Sequence, residues 1–235
     1  MSKRGKILLT IIGIIVLTAL THGVFLIFLF LFGLFYLKRF LKREEEKLKY
    51  LCEDYYRGGT FIALDLETTG LNFQKDEIIE IGTIKFNKEG KIESFVKLIR
   101  PSQYVPFEIQ EMTGLSISKI MEDGKEIEEI KENFINFLNN YPIVGWNLDF
   151  DLEFLNKRGI KISNPKIDLL EIAYNLLPKR KRKGRRYVRR RFYLTSIAKD
   201  FGIYTRTDHR AGSDAYLTMK VFEKIMEQLK YKFGI

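Results

Sequence analysis

Acidic residues at three places in the sequence, together with one histidine, carry the chemistry this chain can perform. Asp65 and Glu67 stand two residues apart in FIALDLETTG, Asp151 shares GWNLDFDLEFL with Asp149, and His209 and Asp214 stand five apart in HRAGSDAYLT. Side chains two apart on a strand point to one face. Two carboxylates that close repel each other and raise one pKa unless a cation neutralises them, and hard oxygen ligands suit Mg²⁺ or Mn²⁺. Histidine adds a group able to move a proton near neutral pH. Each pattern also has a plainer reading. Acids are common at strand ends, and Asp149 and Asp151 can be first-turn acids favoured by a helix dipole. On one helix His209 and Asp214 would lie about 140° apart. To act together, His209 must precede a helix and Asp214 must sit in its first turn, a break that Gly212 permits.

For these residues to meet, the chain must supply a strand ending at Asp65–Glu67 and helices carrying Asp151 and Asp214. From Thr60 onward FIALDLE, EIIEIGTIKF and KIESFVKLI form short apolar runs separated by Gly, Asn and charge, which predicts three strands. Phe61 to Leu64 are continuously apolar, as suits a central strand covered on both faces. The turn Asn87-Lys88-Glu89-Gly90 makes the second and third an antiparallel hairpin. Ile127, Ile130, Phe134, Phe137 and Leu138 recur at helical spacing, PIVGW reads as a short strand, and Leu152, Phe154 and Leu155 begin another helix. IDLLEIAYNLL opens as a strand and becomes a helix stopped by Pro178. A short helix near Leu194 to Phe201 precedes a long final one carrying Ala215, Met219, Phe222, Met226 and Leu229. Antiparallel strands first and strand-helix alternation afterwards predict an α/β domain, a mixed sheet with helices on its faces. The turn Thr68-Thr69-Gly70-Leu71 lets backbone approach a ligand closely.

The 235-residue chain begins differently. Ile7 to Leu37 carries no formal charge and is flanked by Lys3, Arg4 and Lys6 before it and Lys38, Arg39, Lys42 and Arg43 after it. Residues 1–37 are therefore predicted to be a membrane anchor, since a cleaved secretory signal would have a shorter apolar core and a small-x-small site. A single transmembrane helix of this length measures about 46 Å against an apolar core of about 30 Å and must tilt. The alternative is a helical hairpin breaking at Thr21-His22-Gly23, with both ends in the cytoplasm. In either arrangement the heavier basic flank places the main domain on the cytoplasmic side of the cell membrane. Residues 38–57 read as a charged helical stalk and 58–235 as one globular domain. Cys52, the single cysteine, excludes an intrachain disulfide and a zinc site. It reads as an ordinary helix residue rather than an acylated one.

The net charge of +10 has one source. Residues 179–191, KRKRKGRRYVRRR, hold ten basic residues and no acid, and without them the remaining 30 Lys and Arg equal the 30 Asp and Glu. Lys179, Arg180, Lys181, Arg182, Lys183, Arg185, Arg186, Arg189, Arg190 and Arg191 cannot pack against one another and predict a loop that contacts an anion. Nucleic-acid phosphates, with Tyr187 and Phe192 stacking on bases, are the preferred partner. Anionic lipid is the rival.

DLETTG, GWNLDFDLEFL and HRAGSDAYLT, in this order and spacing, resemble the three exonuclease motifs of the DnaQ-like, DEDDh family, which includes the proofreading subunit of the bacterial replicative polymerase. The similarity runs from about Thr60 to Leu229 and takes in EMTGLS, DLLEIAYNLLP and LTSIAKDFGI. It implies a ribonuclease H-like fold, a mixed five-stranded sheet with helices on both faces. It also implies two divalent cations, Mg²⁺ or Mn²⁺, bound by Asp65, Glu67, Asp151 and Asp214, with His209 as general base. Thr68, Thr69, Gly70 and Leu71 would pack around the terminal 3′ nucleotide, and Asn147 would orient a phosphate or brace the site. Asp149 falls between motif positions and keeps its first-turn role. Trp146 departs from the pattern, since many relatives carry there a histidine that is not the catalytic one.

The expected activity is 3′-to-5′ exonucleolytic hydrolysis of single-stranded DNA or RNA by a two-metal mechanism, releasing 5′-mononucleotides. The competing reading is a nucleic-acid- or lipid-binding module on the same fold with weak turnover, against which the full set of five catalytic positions argues. A protein whose main business is the N-terminal segment, such as a small transporter, has no room for a pathway in one or two apolar arms. No protein partner is implied.

Overall fold

The computed structural model describes the backbone of residues 3–176, 193–204 and 208–235, with side chains at 26 and from 29 onward except 175 and 176. The chain divides into two compact units, residues 1–51 and 52–235. The expected basic loop, 179–191, lies outside the described residues, as do the side chains of most of the expected anchor.

Helix α1 spans Lys3–Tyr56. Its backbone is helical through Thr21-His22-Gly23, where one of the two expected arrangements has a hairpin break. From Leu26 to Leu41 its described apolar side chains, Phe30, Phe35 and Phe40 among them, are exposed. Among the described residues no helix is long and apolar enough to cross a membrane.

The second unit is built on β1 (Phe61–Thr68), β2 (Ile78–Asn87), β3 (Gly90–Leu98), β4 (Ile143–Gly145) and β5 (Lys166–Asp168), in the order β3-β2-β1-β4-β5. The first three pair antiparallel, whereas β4 runs parallel to both β1 and β5, so the sheet is mixed, as expected. Helices α2 (Phe107–Thr113), α3 (Ile117–Asp123), α4 (Ile127–Leu138), α5 (Leu148–Lys157), α6 (Leu169–Leu176), α7 (Leu194–Asp200) and α8 (Ala211–Phe233) complete the described elements.

Strand parity divides the central strand between two cores. Ile62, Leu64 and Leu66 face a cluster with Phe134 and Leu138 of α4 and Leu148, Leu152 and Leu155 of α5. Phe61, Ala63, Asp65 and Glu67 take the opposite face, and their cross-strand partners are Phe86, Ile84, Gly82 and Glu80. Helix α8 packs on β1 and β2. There Phe222 lies with its ring centroid 5.1 Å from Phe61 and 5.4 Å from Phe86.

Two boundaries differ from the sequence expectation. The globular unit begins at Cys52 rather than at residue 58, because the last turn of α1 is part of the core. Tyr55 is buried with its ring 5.4 Å from Phe222, and Cys52 is fully buried with its Sγ 3.6 Å from the Met226 carbonyl oxygen. Helix α5 starts at Leu148 rather than Leu152. The Asp168 carboxylate accepts the N–H groups of Asn147 and Leu148, both at 3.1 Å, and caps the extra turn from across the sheet.

A chain starting at Gly58 should therefore unfold at lower urea concentration than one starting at Tyr50. In the longer chain Tyr55→Ala should cost about 3 kcal/mol, the usual loss for emptying an aromatic site. Coincident urea midpoints for the two chains would show that the α1 turn is not part of the core.

Candidate active site

The carboxylate cluster sits where β1 ends under the first turn of α8. Asp65, Glu67 and Asp214 each present an oxygen within 4.8 Å of the others. Parity places the first two on one face, as expected, and α8 begins at Ala211, so Asp214 falls in its first turn. Asp151, in the first turn of α5, accepts the Leu66 N–H at 3.2 Å and lies near enough to raise Asp65 and Glu67, but it is not one of the three carboxylates that come within 4.8 Å.

Burial and proximity hold protons on this cluster. Asp65 is raised well above the ordinary carboxylate range by burial first and then by Asp151, Asp214 and Glu67. Glu67 is pushed from 4.5 up to about 8 by burial, Asp214, Glu80 and Asp151, with Arg210 opposing. Asp151 is raised by burial despite its bond from Leu66. Asp214 is raised by burial, while neighbouring His209 pulls it down.

His209 is exposed in the loop before α8, as the spacing required, with a left-handed backbone at φ 44°. Gly212 has a different role from the expected helix break. It lies inside the first turn, where an added Cβ would come within 3.0 Å of Val96 on β3.

The turn after β1 is closed by its own threonines. The Thr68 hydroxyl donates to the Gly70 carbonyl at 2.6 Å, the Thr69 N–H donates to the Glu77 carbonyl, and the Thr69 hydroxyl accepts the Glu77 N–H. A Cβ on Gly70 would collide with the Asp76 carboxylate. Leu71 is left 86% exposed beside the cluster's strand end. Asn147 adopts a left-handed backbone, φ 59°, at the start of α5, a conformation asparagine tolerates. Asp149 is exposed and faces Lys166 at 3.6 Å, consistent with a first-turn acid outside the cluster.

Sequence reasoning missed four residues that build this site. Glu80 is fully buried and takes a bidentate bond from Arg210. Asp168 caps α5. Glu77 joins the Thr69 turn to Ser102, Gln103 and Arg158. Burial works to raise the Glu77 carboxyl, but these donors outweigh it and hold the group below its ordinary range. The available signal was an acid inside a continuous apolar run, EIIEIGTI, which a fold accepts only with a partner.

Residues 62–222 match the family described as RNase_T, Exonuclease. The chain belongs to the RNase_T exonuclease family. Among its relatives, DNA polymerase III subunit epsilon of Aquifex aeolicus is 32% identical over 200 residues, covering 83% of this chain and 93% of that protein. The PolC-type DNA polymerase III of Thermotoga petrophila is 35% identical over 185 residues, covering 77% of this chain but only 13% of the polymerase. The sheet and helices match the ribonuclease H-like fold of E. coli exonuclease I, solved as a zinc-bound complex with single-stranded DNA. That match has a TM-score of 0.61 at 19% identity and covers 75% of this chain and 42% of the other. As an RNase_T exonuclease the chain is a hydrolase whose cofactors are two divalent cations. The cluster fits that requirement, since buried carboxylates that retain protons for want of positive charge are what a cation neutralises.

The raised carboxyls bind protons more tightly folded than unfolded. Without metal, their contribution to stability is present in full below the unfolded carboxylate range and is lost as pH rises through the folded values, up to about 8 for Glu67. The melting temperature of the metal-free protein should fall from about pH 5 to about pH 8, and Mg²⁺ should raise it more at the upper end. A melting temperature independent of both pH and Mg²⁺ over this range would rule out the protonated cluster.

Proposed function

We propose that this chain is a 3′-to-5′ exonuclease that hydrolyses the terminal phosphodiester of single-stranded DNA or RNA and releases 5′-mononucleotides, held at a membrane by its N-terminal segment. The observation that carries the reading is the convergence of Asp65, Glu67 and Asp214 within 4.8 Å, with buried Asp151 electrostatically linked to the first two and exposed His209 to the third.

In this reading Asp65, Glu67, Asp151 and Asp214 would hold two divalent cations, which would supply Lewis-acid stabilisation of the negative charge that develops at the reacting phosphate. His209 takes the proton from the attacking water. The new phosphorus–oxygen bond forms as the bond to the 3′ oxygen of the preceding nucleotide breaks, that oxygen takes a proton from solvent water and leaves as a hydroxyl, and His209 later returns its proton to solvent. Exposed Leu71 contacts the terminal base, the Thr68–Gly70 turn brings backbone against the terminal nucleotide, and Asn147 braces the entry to α5.

The membrane reading is supported by the exposed apolar side chains of α1 between Leu26 and Leu41 and by Lys38, Arg39, Lys42 and Arg43 within and just beyond them. In this reading the basic flank favours the cytoplasmic side of the cell membrane for the catalytic unit. Residues 179–191 supply cations that hold the phosphates of the single strand.

Asp65→Asn, Glu67→Gln, Asp151→Asn, Asp214→Asn and His209→Ala should each lower turnover on a labelled single strand by more than about 100-fold. Exposed Asp149→Asn should stay near the parent rate. An inactive Asp149 variant beside an active Asp151 variant would reverse the assignment, and parent activity in a chelator would remove the two-cation mechanism.

Neutralising 179–191 in a chain starting at Tyr50 should weaken single-strand binding and flatten its salt dependence by about 0.7 log unit per lost phosphate contact. An unchanged salt slope with lost binding to anionic liposomes would instead make the segment a lipid contact.

A further inference from the structure

The first turn of α8 carries Asp214 and follows His209 directly, yet its N-cap residue, Arg210, makes no side-chain capping bond. The missing acceptor comes from β2. Glu80 accepts the Ala211 N–H at 2.8 Å and the Arg210 Nε at 3.0 Å through one oxygen, and the second guanidinium N–H through the other. Glu80 is fully buried and stands directly opposite Glu67 in the sheet register. Like charges so placed repel, and the planar guanidinium fork neutralises one of them while fixing its own direction. Two residues along β2, Gly82 stands opposite Asp65, and a Cβ there would collide with the Ala211 backbone carbonyl. The helix start is thus pressed onto the strand at the one position without a side chain. Between these restraints and the loop, His209 holds a φ of 44°, which a non-glycine residue rarely adopts unless its surroundings impose it.

We infer that Glu80 and Arg210 form a positioning pair that imposes the left-handed backbone of His209 and so sets its imidazole over the carboxylate cluster. The pair touches neither substrate nor the reacting atoms. It acts through His209, so the inference rests on His209 being the general base.

The test uses the full chain with Arg210→Lys, which keeps the charge but loses the fork, and Glu80→Gln, which keeps an acceptor but loses the charge. Each is made alone and with His209→Ala, and kcat, KM and the unfolding midpoint are measured on a labelled single strand with saturating Mg²⁺. Both single variants should fold and lose about 10- to 100-fold in kcat with little change in KM. Neither should slow the His209→Ala enzyme further, because the group they position is gone. Losses that multiply in the His209→Ala background, single variants at the parent kcat, or two variants that fail to fold would each overturn the pair as a positioning device. His209→Ala at the parent rate would instead remove the general base itself, a failure distinguishable from a slow His209→Ala enzyme beside a fast Arg210→Lys one.

Discussion

Mutual repulsion among carboxylates buried at the end of β1 is the constraint to which the neighbouring elements answer. Asp65 and Glu67 share a face through strand parity, and Glu80 stands across from Glu67 on the same face. Left alone, three acids in that space would keep protons or open the sheet. Arg210 offsets one of them. Helix dipoles bear on the others, because Asp151 and Asp214 are each the fourth residue of their helices, α5 and α8. Two helix N-termini therefore converge on one strand end with their positive poles toward the acids. These offsets are partial: burial first, and then the neighbouring carboxylates, keep Asp65 and Glu67 raised. A divalent cation relieves both effects at once.

The same face of β1 is apolar at its other end, and α8 serves both ends because the two elements are commensurate. Phe61 to Asp65 spans four strand steps, about 13 Å, and Asp214 to Phe222 spans eight helix steps, about 12 Å. With Phe222 seated on Phe61, Phe86 and Tyr55, Asp214 falls beside Asp65. The aromatic cluster thereby fixes the axial position of a carboxylate two turns away. A cavity at Phe222 would let α8 slide and so disturb the acidic end without touching it.

Periodicity made most of this legible. The three strands, the hairpin turn, α4 and α8 come from apolar spacing, and the shared face of Asp65 and Glu67 comes from parity alone. The resemblance in the three motifs, not spacing, assigned Asp151 over Asp149, and the structure places the former buried and the latter exposed. What was hidden depends on partners far away in sequence. The first turn of α5 is capped by Asp168, the domain boundary at Cys52 depends on Tyr55 meeting Phe222, and the purpose of Gly82 exists only when Ala211 lies on it. Helices α2 and α3, seven residues each, are too short to show a period. They end at Gly114 and Gly124, and Pro106 precedes the first, signals that mark a turn as readily as a helix end.

A polyanion that is to react at this cluster meets an electrostatic problem, since the acids that hold cations also repel phosphate. Outside 179–191 the chain is balanced, with 30 basic residues against 30 acidic ones. In the proposed function, attraction would come from cations held at the cluster, which act over a few ångströms in salt of about 0.15 M, where screening sets in near 8 Å, and from the one segment that carries the net charge. On that proposal, cations at the cluster would favour the phosphate next to the strand end, whereas ten basic residues would hold any stretch of backbone without regard to sequence. Dividing the work this way ties chemistry to the terminus and affinity to length. On that proposal, length rather than base sequence is the substrate property such a charge distribution would sense.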